Sequence, residues 1–312
     1  MNMDSIKLRV PATTSNLGSC MEIVGLALKE PFDVVEVEKI AEGVVIESKG
    51  YDIPIEPRKN TGGHVAIKML QKFGIKEGVK IKIDKMVKPA MGLGSSGTTP
   101  AAVAYAINEL FELKLTTIQI IDAARYGEII SAGVPHPDNV AASIVGNFVI
   151  VPYTDPNYYE IGYYLQFDPP ENMGIVIVMP SKIEKGSTKL AKEAIPREVP
   201  LRSAYYNIGQ AAVLSAGISS KNLELIKKGM DDAIVEPARV RYGIFRELPR
   251  MKKLGKELNA GISGSGAGPS ILGIIEKERC KELADGMKEI FGSHGYSSDV
   301  IITEAGEGIK KS

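Results

Sequence analysis

Apolar and polar positions alternate almost from the first residues. The alternation predicts strands over 6–10, over 32–40 (FDVVEVEKI) and over 43–48 (GVVIES), all rich in β-branched side chains. The period then changes. Asn60 is a good helix N-cap, and Val65, Met69, Leu70 and Phe73 recur near the helical spacing until Gly74, so a helix is predicted over 61–73. VKIKIDKMV (79–87) returns to period two, setting apolar residues against Lys and Asp as a strand with one wet face does. A long apolar helix is predicted over 98–111, with further helices over 116–132, 187–195, 202–217 and 220–232 and strands over 146–153, 174–179 and 270–275.

Helices and strands mix here without a strict strand–helix–strand rhythm, which predicts an α+β fold rather than a doubly wound parallel sheet. The stretch 153–173 is crowded with Tyr, Pro and Asn, as a junction between domains would be; a boundary near 167 divides the chain into 1–167 and 168–312. At 312 residues and 44% hydrophobic composition there is enough apolar material for two fused cores.

Charge removes several function classes. Lys plus Arg (38) cancels Asp plus Glu (38), so no overall field draws the protein to nucleic acid or to an anionic membrane, and neither is expected as a partner. Cys20 and Cys280 stand far apart and in no metal-ligand spacing, as reduced thiols would. The opening MNMDSIKLRV lacks the apolar core of a signal peptide, and no later run approaches a membrane span, so a cytoplasmic protein is expected.

The chemistry is concentrated in glycine. In PAMGLGSSGTTPAAVAYAINELF, Gly92, Gly94 and Gly97 let backbone come close to a bulky anion, and the helix that follows offers unpaired N–H groups at its positive end. Ser95 and Ser96 add hydroxyls where a phosphate oxygen or a Mg²⁺ ion would sit. The string also matches the dinucleotide fingerprint G-x-G-x-x-G. However, the preceding strand is half wet, and Thr116 and Thr117 occupy the place of the required acidic residue, which disfavours a dehydrogenase. Val65-Ala-Ile-Lys68 spells the lysine strand of protein kinases but falls in a helical pattern, with no H-R-D or D-F-G after it. A second glycine-rich stretch, NAGISGSGAGPSILGII (259–275), precedes a buried strand; two such loops suit a substrate whose phosphates are gripped from both sides.

These two stretches, with VPATTSNLGS (10–19), resemble in order and spacing the three signature motifs of the GHMP kinase superfamily, named for galactokinase, homoserine kinase, mevalonate kinase and phosphomevalonate kinase. Within it, SAGVPHPDNVAASIVGN (131–147) and VEPARV (235–240) look like the homoserine kinases. The resemblance implies a ribosomal-protein-S5-domain-2-like N-terminal domain, a ferredoxin-like C-terminal domain, a homodimer, and transfer of phosphoryl from ATP to a small alcohol, homoserine.

By the same resemblance, Pro89, Met91, Gly92, Leu93, Gly94, Ser95, Ser96 and Gly97, with Gly264, Ser265 and Gly266, would hold ATP, and Asn60 and Lys88 would flank its purine. Ser96 and Glu128 would ligate Mg²⁺, which favours hard oxygen donors. Glu22 would face the acceptor's ammonium, Asn16, His136 and Asn139 would orient its polar atoms, and Arg239 and Lys192 would supply positive charge for its carboxylate. Asn139 would align the acceptor hydroxyl, with Asp138 the nearest carboxylate. Glu22 stands where homoserine kinases carry Asp, and Lys192 and Gln210 stand where they carry Arg. These departures leave two alternatives: another small hydroxylated acceptor, or a ligand-sensing member of the fold without turnover.

Overall fold

The computed structural model describes residues 4–157, 159–181, 191 and 193–312. Two sheets organise the chain. The first follows the order β11-β1-β2-β4-β3, with β5 pairing β2 and β6 at one end. β1 (Ser5–Asn16) and β2 (Cys20–Ile40) run antiparallel; the early part of β2 pairs with β5 (Phe148–Ile150) and its later part with β4 (Gly78–Lys85). β3 (Val44–Gly50) lies parallel to β4, β6 (Leu165–Phe167) pairs with β5, and β11 (Lys310–Lys311) returns from the C-terminus to β1.

The wet face predicted for 79–87 is present. Glu36 and Glu38 of β2 stand opposite Lys82 and Lys80 of β4, and the Lys82 ammonium lies 3.4 Å from Glu36 and 3.2 Å from Glu38. The other face is dry. Val35, Val37, Ile81 and Ile83 pack there under α1 (Thr61–Lys72), α2 (Ser95–Leu110), α3 (Thr117–Arg125) and α5 (Asp138–Val145) in one continuous core. Asn60 caps α1 as its sequence position predicts, accepting from Gly62 N (2.9 Å) and Gly63 N (3.1 Å).

The second sheet, β10-β7-β9-β8, is drawn from β7 (Met173–Pro180), β8 (Gly261–Gly264), β9 (Ile271–Glu276) and β10 (Ser298–Thr303). Every residue of β7 is buried because both of its faces are covered. Ile175, Ile177 and Met179 join a core shared with Leu26, Leu28 and Phe148 of the first sheet, together with α6 (Leu201–Ser219) and α7 (Leu223–Gly229). Val176 and Val178 face the opposite core, under α9 (Leu248–Leu258) and α10 (Cys280–Ser293).

Several elements differ from the sequence pattern. The predicted strands 6–10 and 32–40 are parts of much longer strands, and 146–153 shrinks to β5. The predicted helix 116–132 breaks into α3 and α4 (Glu128–Ala132) at Gly127, the weakest helix former in the run, and the break turns Glu128 inward. The predicted helix 220–232 ends at Gly229, freeing Asp232 to accept the Ile234, Val235 and Glu236 amides at the start of α8 (Val235–Arg241). The predicted helix 187–195 falls largely outside the described residues. Cys20 and Cys280 are free and buried, and burial pushes the Cys20 thiol up to about 11. No helix among the described residues is long and apolar enough to cross a membrane.

Candidate active site

The end of β1, the loop before α2, the start of α5 and the loop after β8 converge on one cleft of about 440 Å³. The loop before α2 has the form its glycines predict. Gly92 (φ +77°) and Gly94 (φ +61°) take the left-handed conformation that side chains disfavour, and Gly94 begins α2 without a side-chain cap, leaving the first amides of the helix available to an anion. The two serines then part company. Ser95 donates to the Val87 carbonyl (2.8 Å), whereas Ser96 donates to Glu128 Oε2 (3.0 Å).

Glu128 is 5% exposed, and Ser131 adds a second hydroxyl to its Oε2 (3.1 Å). Its Oε1 is buried and makes no hydrogen bond. Burial raises the carboxyl's pKa, and the Ser96 and Ser131 hydroxyls oppose the rise. An orphaned carboxylate oxygen beside a hydroxyl, facing a cleft, is a donor set that fits Mg²⁺. Among the described residues no group of three or more His, Cys, Asp and Glu is placed to hold a metal ion.

Beneath the loop lies a feature absent from the sequence reading. Lys85 Nζ donates to Asp33 Oδ2 (2.5 Å), to the Ser95 carbonyl (2.6 Å) and to Thr98 Oγ1 (2.9 Å). Asp33 Oδ1 accepts the Met86 and Val87 amides, both at 2.8 Å. Both residues are buried, Lys85 at 2% and Asp33 at 0% side-chain exposure, and burial lowers the Lys85 pKa against the pull of Asp33. A signal was available: Lys85 is in phase with inward-facing Val79, Ile81 and Ile83, and Asp33 with Val35 and Val37, on strands that pair.

On the opposite wall, Asn139 Oδ1 accepts from Thr13 Oγ1 (2.7 Å), while its Nδ2 donates to Ser15 Oγ (3.1 Å) and Asp138 Oδ1 (3.3 Å). Asp138 is buried at the first turn of α5, and burial pushes its carboxyl pKa upward. Glu22 faces His136 across 3.1 Å. Arg239 is 4% exposed and lines the cleft; its Nη1 donates to the Gly266 carbonyl (2.9 Å), and it forms no salt bridge among the described residues. Burial lowers its pKa, opposed by the fields of Asp232, Glu22 and Glu236.

The two glycine loops touch. A Cβ on Gly92 would lie 2.0 Å from the Ser265 carbonyl, so the approach is open only to glycine. Ser265 Oγ donates to the Gly92 carbonyl (2.7 Å); its single proton is thereby used, so Thr14 is the donor in the 2.8 Å bond between their hydroxyls. Glu236, from VEPARV, holds the loop by accepting Gly264 N (2.8 Å).

Of the residues singled out from sequence, Asn16, Glu22, Asn60, Pro89, Gly92, Leu93, Gly94, Ser95, Ser96, Glu128, His136, Asp138, Asn139, Arg239 and Gly266 line the cleft. Others do not. Met91 packs against the apolar core, and Gly97, Gly264 and Ser265 lie behind the surface. Lys88 points to Asp299 at 3.4 Å. Lys192 lies outside the described residues, and Gln210 on α6 is not in the lining. Asn16 and Asn60 line the wall with occupied side chains: Asn16 donates to Gly266 O (3.0 Å) and accepts Glu22 N (3.3 Å), and Asn60 donates to Pro54 O (2.7 Å) while capping α1. Both therefore shape the cleft through internal hydrogen bonds. Sequence reasoning missed Thr13, Ser15, Lys85 and Ser131.

A glycine loop on a helix N-terminus, a buried carboxylate–hydroxyl pair and a facing amide–carboxylate pair are parts that phosphoryl transfer requires. The comparisons agree, and the chain belongs to the GHMP kinase family: the description "GHMP kinases N terminal domain" matches residues 60–147 and "GHMP kinases C terminal" residues 214–293. Homoserine kinase of Methanococcus maripaludis is 37% identical over 302 residues, covering 96% of this chain and 97% of that protein. The crystal structure of homoserine kinase from Cytophaga hutchinsonii superposes with a TM-score of 0.88 at 30% identity, covering 100% of this chain and 98% of that one. A solved complex of MDDEF with MVAPP, AMPPCP and magnesium shares the fold at a TM-score of 0.71 and 16% identity, covering 99% of this chain and 98% of that one.

Proposed function

We propose that this protein is an ATP-dependent homoserine kinase, transferring the γ-phosphoryl group of ATP to the hydroxyl of L-homoserine and releasing ADP and O-phospho-L-homoserine. The observation that carries the reading is the meeting, in one cleft, of the loop 92–97 with Ser96–Glu128 on one side and of Asp138–Asn139 with Arg239 on the other. The relatives at 30–37% identity, named homoserine kinases, support the choice of acceptor.

The phosphates lie on the loop amides and the α2 N-terminus, and Pro89 flanks the purine in a wall that Asn60 shapes by capping α1. Ser96 and Glu128 would hold Mg²⁺, which would neutralise charge on the phosphates. Arg239 meets the acceptor's carboxylate and Glu22 its ammonium. The acceptor oxygen forms a bond to the γ-phosphorus as the β–γ bridging bond breaks, and the hydroxyl proton leaves with solvent or on Asp138. Phosphoryl transfer has a loose transition state, so alignment and charge neutralisation outweigh a strong base. The occupied Asp138 Oδ1, which accepts the Asn139 amide (2.8 Å) as well as Nδ2, fits a carboxylate that positions Asn139.

The test is ADP release across a panel of small alcohols that includes homoserine and threonine. Homoserine is expected to give the highest kcat/KM. A higher value on another alcohol overturns the acceptor, and ATP binding without ADP release on any of them makes the protein a sensor.

A further inference from the structure

The four polar residues that end β1 (13–16) are a poor choice for a strand terminus unless each has a partner, because Thr13 and Thr14 are 0% and Ser15 2% exposed. Thr14 and Asn16 reach the second glycine loop. Thr13 reaches two other walls at once: its amide donates to the Leu93 carbonyl in the phosphate loop (3.1 Å), and its hydroxyl donates to Asn139 Oδ1 (2.7 Å).

The orientation of the Asn139 amide follows from its neighbours. Asp138 Oδ1 accepts the Asn139 backbone N–H, so it is an acceptor, and the Asn139 atom 3.3 Å from it must be the nitrogen. That leaves Oδ1 toward Thr13, whose one proton it receives. The hydroxyl fits only because residue 94 is glycine: a Cβ there would lie 1.8 Å from Thr13 Oγ1 and 2.9 Å from Asn139 Oδ1.

We propose that Thr13 is a positioning residue for phosphoryl transfer, its hydroxyl locking the Asn139 amide and registering it against the phosphate loop at Gly94. The inference rests on the kinase reading of the cleft. Without the hydroxyl, Oδ1 has no donor in its present orientation. A half-turn of the amide would set its oxygen against the Asp138 carboxylate and its nitrogen against whatever replaces the hydroxyl.

The variants are Thr13→Val, which keeps the shape and removes the hydroxyl, and Thr13→Ser, which keeps the hydroxyl. Thr13→Val is expected to lower kcat on homoserine by about 10-fold or more, because small misplacements of an aligning group cost up to about 10² in rate. The KM for ATP should stay within about twofold, and Thr13→Ser should recover most of the loss, since it alone restores the donor. The second readout needs no turnover. In ¹⁵N-labelled protein the Asn139 side-chain NH₂ signals, identified by their loss in Asn139→Asp, should form one sharp pair in wild type and Thr13→Ser and shift or broaden in Thr13→Val. Unchanged amide signals and kcat in Thr13→Val overturn the proposal, as does a Thr13→Ser variant as impaired as Thr13→Val. If wild-type protein phosphorylates no alcohol, the kinase reading fails on its own, and the amide signals still decide whether Thr13 locks Asn139.

Discussion

Glu128→Gln is expected to lower kcat by about 10²–10³-fold, the loss seen when one group stabilising transition-state charge is removed. The substitution preserves shape, and an amide oxygen can still accept from Ser96 and Ser131, so the packing of α4 against α2 should survive. What disappears is negative charge at a buried position with one oxygen unpartnered, an arrangement that burial itself opposes and that a purely structural role would not retain. The melting temperature should therefore change by no more than a few degrees, while the Mg²⁺ concentration needed for half-maximal rate rises. A Mg²⁺ titration decides the point: an unchanged half-maximal concentration removes Glu128 from the metal's shell.

Lys85→Met is expected to have the largest effect on stability. It leaves the Asp33 carboxylate buried without its cation, and breaking such a pair from one side costs about 3–5 kcal/mol. The loss should appear as a lower denaturation midpoint with little change in m-value. Replacing Asp33 as well should recover only part of it, because Asp33 Oδ1 also holds the Met86 and Val87 amides, which would then be buried without acceptors. ATP affinity should fall too, since the Ser95 carbonyl at the start of α2 loses its anchor. Wild-type stability in Lys85→Met would mean that the pair contributes nothing to holding the loop.

That pair also shows where the sequence was legible and where it was not. The glycine loop could be read because its chemistry is local: glycines, serines and a helix start fall within a few consecutive residues. Ser96 and Glu128 were brought together by motif resemblance, and their side chains do meet. Asp33 and Lys85 were hidden because a lysine in an alternating strand reads as solvated, although its phase matches the inward valine and isoleucines. Thr13 was hidden for another reason. A threonine inside a strand gives no sign of which partner its hydroxyl will find, and Asn139 comes from a loop and helix 126 positions away. Ser265 and Asn60 look like ligand contacts in the linear pattern; in three dimensions their polar atoms bind their own fold, which is how the loops keep their shape. The split of the 116–132 helix was missed because its apolar spacing carries across Gly127, and only the tertiary position of Glu128 reveals the break.

The most direct measurement is a crystal structure of the protein with a nonhydrolysable ATP analogue, Mg²⁺ and homoserine. The expected result has the β- and γ-phosphates on the amides of 92–96, the metal between Ser96 and Glu128, and the homoserine hydroxyl in line with the γ-phosphorus beside Asn139. A triphosphate bound away from that turn, or a homoserine whose hydroxyl points away from the γ-phosphorus, would contradict the account.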